Sequence, residues 1–294
     1  MKNTNIRKIL RLVFKVLCSV GLVVFLLYHL DWNVLRQLDA TVVWPIVLSV
    51  LVTLSALYVM AYRWKILVKQ YLHIDAEVPV LYRFYLIGMF FNIFLPGAIG
   101  GDVLRTQRLI ARYNGPVKGA TVITVVERAA GIYGLMLLLS VSLAFGNFPE
   151  RFQIGQFVPA WLLYLLPVAV LSLVPLLKYL LDKYDLPTPY GFIFQTVGVL
   201  LLSQMGDVAI AWLFSHAFGL DLPFTAFIFI MPLVYVATVL PISLGGLGVR
   251  ESSFSGLMVL YGVDTSIAIV ISLLMYFVKV LVGIVGYFVY LKDK

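Results

Sequence analysis

The chain has 294 residues, 62% of them hydrophobic and 12% charged, with a mean hydropathy of +1.00. Soluble domains run nearer half apolar and a quarter charged, so this composition excludes a soluble globule and makes the chain an integral membrane protein. The net charge of +8 comes from basic residues flanking apolar runs, which leaves no separate basic face for nucleic acid.

Lys2, Arg7, Lys8, Arg11 and Lys15 precede an apolar run at 16–30, as in a signal peptide. The run ends at Tyr28-His29-Leu30-Asp31 without a small-residue cleavage site, so a retained signal anchor is expected. Cys18 is the only cysteine, which excludes disulfides within the chain and thiolate metal clusters. Further apolar runs lie at 42–62, 119–145, 158–177, 191–218 and 266–291. Each is long enough, or nearly so, to cross a hydrocarbon core about 30 Å thick. Two other apolar regions, 80–112 and 223–262, are broken by Pro and Gly.

The breaks share a motif. Leu95-Pro96-x-x-Ile99-Gly100-Gly101-x-x-x-Arg105 is matched by Leu240-Pro241-x-x-Leu244-Gly245-Gly246-x-x-x-Arg250. Asn92 and Asp102 add polarity to the first, Glu251 to the second. Bent backbone and charge are tolerated at membrane depth only inside protein or beside water. The pieces on either side are short for full spans, so each region reads as a re-entrant hairpin. Charge alone does not separate this from additional crossings.

With six spans and two hairpins, one side of the membrane collects the N-terminal bases together with Arg63, Lys65, Lys69, Arg105, Arg108, Arg112, Lys118, Lys178, Lys183, Lys292 and Lys294. The other side receives Arg36, Arg151 and Arg250. The basic side is then cytoplasmic, and both termini lie there. The single membrane domain divides into half-repeats, about 1–150 and 151–294, with the hairpins entering from opposite faces. That is an inverted repeat, an arrangement that sets broken helices around a midplane transport site. Glu127-x-x-x-Gly131-Ile132-x-Gly134 also aligns with Lys279-x-x-x-Gly283-Ile284-x-Gly286. The offset is 145 residues at the first motif and 152 at the second. The glycines equally suit close helix packing.

Trp32, Trp44, Tyr62, Trp64, Trp161, Trp212 and Tyr290 lie near span ends and read as an interfacial belt. Gly100–Gly101 opens a helix whose N–H groups suit a lipid phosphate, while Asp102 alternatively serves as its N-cap. Arg105, Arg108 and Arg112 share one helix face, which attracts anionic lipid or collects a headgroup. Glu127, Arg128, Asp207 and Lys279 lie inside apolar runs and need partners or a water-filled cavity. Lys279 is the candidate counter-ion of Glu127 across the repeat axis. Arg250 and Glu251 form either a local pair or a headgroup contact at the outer side. His29, His73 and His216 lack metal-ligand spacing, and no dinucleotide, P-loop, H-E-x-x-H or G-x-S-x-G signature occurs. No cofactor or metal is expected.

The motifs around Asn92, Pro96, Gly100, Gly101, Asp102 and Arg105, with Glu127-Arg128 and the run from Leu240 to Glu251, resemble the lysylphosphatidylglycerol synthase transmembrane-region family, the flippase-like proteins. The resemblance spans essentially the whole chain. It implies translocation of an anionic phospholipid, an aminoacyl-phospholipid or a lipid-linked headgroup across the bacterial inner membrane. With 294 residues there is no room for the cytosolic aminoacyl-transferase domain, so synthase activity is not implied. Expected partners are membrane lipids with anionic headgroups, with a homo-oligomer or a lipid-modifying enzyme also compatible. The alternatives are a membrane-embedded transferase using Asp102, Glu127 and Asp207, and a non-catalytic scaffold.

Overall fold

The computed structural model describes residues 21, 22, 24, 28, 31, 34, 42–94, 100–145, 159–183, 186, 188–239 and 248–293. Most of the first expected span at 16–30, and Pro96, Pro241, Gly245 and Gly246, lie outside the described residues. All the regular elements described are helical: α1 (Val43–Leu72), α2 (Val78–Phe94), α3 (Gly100–Tyr113), α4 (Val117–Phe145), α5 (Ala160–Leu171), α6 (Leu173–Lys183), α7 (Tyr190–Ala217), α8 (Phe224–Val239), α9 (Val249–Leu260) and α10 (Thr265–Lys292). The chain is an all-α membrane protein.

Among the described residues, five stretches are long and apolar enough to cross a membrane: Val43–Leu72, Val117–Phe145, Trp161–Lys183, Tyr190–Ala217 and Thr265–Lys292. They match the five runs expected after residue 40, with one correction. The run at 42–62 does not stop at the charges Arg63 and Lys65, because α1 continues to Leu72. Leu57, Ala61, Trp64 and Val68 keep one buried helical face through the charged stretch. The two broken regions form pairs of short helices, α2–α3 and α8–α9.

Local chemistry sets several ends. α7 and α9 stop at Gly219 (φ 70°) and Gly262 (φ 81°). In each, the Gly and the following residue return their N–H groups to the last turn: Gly219 to His216 and Leu220 to Ser215, Gly262 to Val259 and Val263 to Met258. Asp264 then caps α10, accepting from the Ser266 and Ile267 N–H groups. Between α5 and α6 the helix breaks around Ser172, in a stretch carrying Pro167 and Pro175.

Among the described residues two large apolar cores result. One joins α1–α4 around Trp64, Leu67, Leu81, Leu109 and Ile123, with Val282 reaching in from α10. The other joins α7–α10 around Phe214, Phe227, Ile230, Phe254 and Met258. The halves also exchange contacts: α2 packs along α10, α8 packs along α4, and α1 lies against α7. Gly286 allows the first of these, since a Cβ there would overlap the Leu86 carbonyl oxygen of α2. Gly134 instead faces Leu200 of α7, and Gly131 has open space around it. The small-residue reading therefore holds for Gly134, Gly283 and Gly286 and fails for Gly131.

The helix ends sort into two groups. Tyr71 is hydrogen-bonded to Thr188 (2.9 Å), and Asp293 pairs with Arg83 and Arg108, so those ends lie together. At the opposite ends, the backbone N–H of Asp31 bonds the Ser266 hydroxyl. Lys65, Lys69, Arg112, Lys118, Lys178, Lys183 and Lys292 belong to the first group of ends. Among the described residues the second group carries Asp31, Asp221 and Asp264 and no Lys or Arg.

Candidate functional site

Four helices of the first half converge on Glu127. Its Oε1 accepts from Arg63 Nη2 of α1 (2.7 Å) and from the Tyr85 hydroxyl of α2. Its Oε2 accepts from Arg105 Nη2 of α3 (2.6 Å). Glu127 and Arg63 are each only 3% exposed. Counting from Val117 at 1.5 Å per residue, Glu127 lies about 15 Å inside α4. A lone charge there costs roughly 2.5–3.5 kcal/mol on insertion scales, so a carboxylate against two guanidiniums is the neutralising arrangement to expect. The Arg105 guanidinium also lies over the rings of Tyr85 (4.4 Å) and Trp64 (4.9 Å).

Several expectations change here. Lys279 is not the partner of Glu127, because Arg63 and Arg105 already occupy both carboxylate oxygens. Lys279 instead lies 3.6 Å from Asp207 Oδ1 and donates to the Tyr235 hydroxyl (3.2 Å). Asp102 is not the cap of α3. The Gly101 N–H is taken by Asn92 Oδ1 from across the hairpin (2.8 Å), which also withdraws that N–H from phosphate binding. Gly101 is glycine because its Cβ would strike the Gly88 carbonyl oxygen and the Asn92 side chain. The Asp102 carboxylate faces two arginines: Arg128 Nε and Nη2 both reach Oδ2 (2.8 and 2.5 Å), and Arg105 Nε lies 3.1 Å from Oδ1.

Trp64 is not a belt residue. It is fully buried and packs edge-on against Tyr85. Trp44 and Trp161 do face outward. Arg63, Trp64, Tyr85 and Tyr235 are the site residues that sequence reasoning missed. The signal for the first two was the apolar helical stripe that runs on past Ala61 to Val68.

In the second half, Arg250 pairs with Glu251 (2.6 Å) while Glu251 Oε2 accepts from the Gly248 N–H (2.7 Å), a local pair that fastens the start of α9. Arg250 is not an outer-surface charge. Its guanidinium lies over Tyr276 (5.0 Å), about 16 Å along α10 from Thr265. Gln204 donates to the Gly131 carbonyl (3.0 Å).

The two clusters meet at a cavity of about 190 Å³. Tyr85, Asn92, Asp102 and Arg105 line it from one half, and Ser203, Asp207 and Lys279 from the other, save that Lys279 stands on α10, which also packs on α2. Its charges balance, with Arg105 and Lys279 against Asp102 and Asp207. Buried Arg105 Nη1 has no hydrogen-bond partner among the described residues. Such a wall can hold a phosphate at its cations and hydroxyl or ammonium donors at its carboxylates. Glu127, saturated by three donors, is poorly placed to act as a general base.

No curated protein matches the chain. The lysylphosphatidylglycerol synthase TM region family matches residues 12–286, nearly the whole length, and the chain belongs to that family.

Proposed function

We propose that this protein is a lipid translocase. It carries the headgroup of an anionic phospholipid, an aminoacyl-phospholipid or a lipid-linked group through the central cavity while the acyl chains stay in the bilayer. The observation that carries this reading is the charged cavity at membrane depth, lined from both halves of the chain. A volume of about 190 Å³ suits a phosphate with a small substituent and a few waters, each filling about 30 Å³. Arg105 and Lys279 are the phosphate contacts and Asp207 the acceptor for headgroup donors.

The halves are inverted repeats, with α2–α3 and α8–α9 as re-entrant hairpins from opposite faces. Reciprocal packing supports this: α2 on α10 is answered by α8 on α4. So do the charge clusters. Arg63, Tyr85, Arg105 and Glu127 come from α1, α2, α3 and α4, as Asp207, Tyr235, Arg250 and Lys279 come from α7, α8, α9 and α10. The base-rich ends face the cytoplasm of a bacterial inner membrane, with both termini inside.

The test is purified protein in vesicles holding a fluorescent phosphatidylglycerol whose outer-leaflet fraction is quenched by an impermeant reductant. Loss of the protected inner fraction, with lipid composition unchanged, is the expected result. Full protection in protein-containing vesicles removes the translocase reading. A change in lipid mass would identify a transferase.

A further inference from the structure

We propose that the headgroup passes between cavity and bilayer through the seam of α3 and α4, and that Arg128, held by Asp102, is the phosphate contact at that portal. The proposal rests on the translocase reading and names the route it leaves open.

Arg128 lies eleven residues from the Val117 end of α4, about 16 Å deep at helical rise, yet its side chain is 42% exposed. An arginine turned toward hydrocarbon at that depth is costly unless water or an anion meets it. Its inward partner is Asp102, and Asp102 lines the cavity. One ion pair therefore has one member in the cavity wall and the other on the outer surface.

The seam is suited to opening. α3 packs closely on α2 and only lightly on α4, whereas α9 packs on both α8 and α10. Between α3 and α4 the Thr106 and Thr124 hydroxyls share a hydrogen bond (2.8 Å). Outside it, exposed Val103, Val125 and Ile132 give an apolar track for acyl chains. The route inward is marked as well. Asp102 is shared between Arg128 outside and Arg105 inside (Nε 3.1 Å from Oδ1), and Arg105 Nη1 is without a hydrogen-bond partner among the described residues. A phosphate that displaces Asp102 from Arg128 finds the next guanidinium behind it. In the register of the second sequence match, Val280 stands where Arg128 does, so the portal belongs to the first half alone.

The experiment uses the full chain in phosphatidylethanolamine–phosphatidylglycerol vesicles containing a phosphatidylglycerol with a photoactivatable diazirine on its headgroup glycerol. Cross-linked residues are mapped by mass spectrometry, and transport is measured on the same preparation. Headgroup labelling is expected within 100–106 and 124–132, as well as at the helix ends. Arg128→Ala should lower the deep labelling about tenfold, the factor for losing one charge-assisted contact, and leave the labelling at the helix ends intact. Arg128→Lys should keep most of it, and Asp102→Asn, which releases the arginine, should not lower it. Transport with deep labelling on another seam, such as α8–α9, overturns the portal and leaves translocation standing. Deep labelling at 100–106 and 124–132 without transport supports the phosphate contact and removes the translocase. Labelling confined to helix ends in every variant overturns the portal.

Discussion

Glu127 is held from three helices besides its own, and this decides what its removal does. Without the carboxylate, Arg63 loses the counter-charge it has among the described residues and Arg105 keeps only Asp102. Loss of one partner from such a network costs about 3–5 kcal/mol, whereas replacing all members by apolar residues of similar volume is often neutral. Glu127→Leu should therefore strongly lower the thermal unfolding midpoint in detergent. Adding Arg63→Met and Arg105→Met should recover most of the stability without restoring transport. A triple variant that transports normally would show that the cluster serves only to hold the fold. The carboxylate's environment also explains why Lys279 was the wrong counter-ion to expect. Matching spacing in a sequence does not make two positions face each other, and here Glu127 pairs with Arg63 and Arg105 while Lys279 lies beside Asp207.

At the scale of elements, the hairpins are held by backbone proximity as much as by side chains. α2 meets α3 at Gly88 and Gly101 and meets α10 at Gly286, where a methyl group has no room. Gly286→Ala should destabilise by about 1–3 kcal/mol, the usual cost of overpacking. Gly131→Ala meets nothing within 4 Å and should stay within about 0.5 kcal/mol, as surface substitutions do. Comparing unfolding midpoints of the two variants checks this. Equal losses would place α2 farther from α10 than the structure does. The motif alone could not separate these glycines, because spacing shows that small residues share a face but not which face meets a neighbour.

For the whole molecule, the segregation of bases to one set of helix ends carries a topological prediction. In a Cys18→Ser background, Thr265→Cys should react with an impermeant maleimide on intact cells, and Lys118→Cys only after permeabilisation. Both positions are exposed, so reaction of both, or of neither, on intact cells would refute opposite-facing ends and the inverted arrangement with them.

Composition and hydrophobic run length determined the solvent, the helical class and the positions of most long helices. Those properties depend on transfer free energy, which is summed along the chain. The recurrence of Pro and Gly located the two regions of paired short helices for the same reason, since backbone breaks are local. Partner identity was left to tertiary structure. Arg63 and Trp64 read as the end of a span and proved to be buried in a helix that runs on to Leu72. Asn92 rather than Asp102 closes the start of α3, and Glu127 chooses two arginines over a lysine. Each choice compares contacts between segments far apart in sequence, and only the packed helices bring those contacts within a few ångströms of one another.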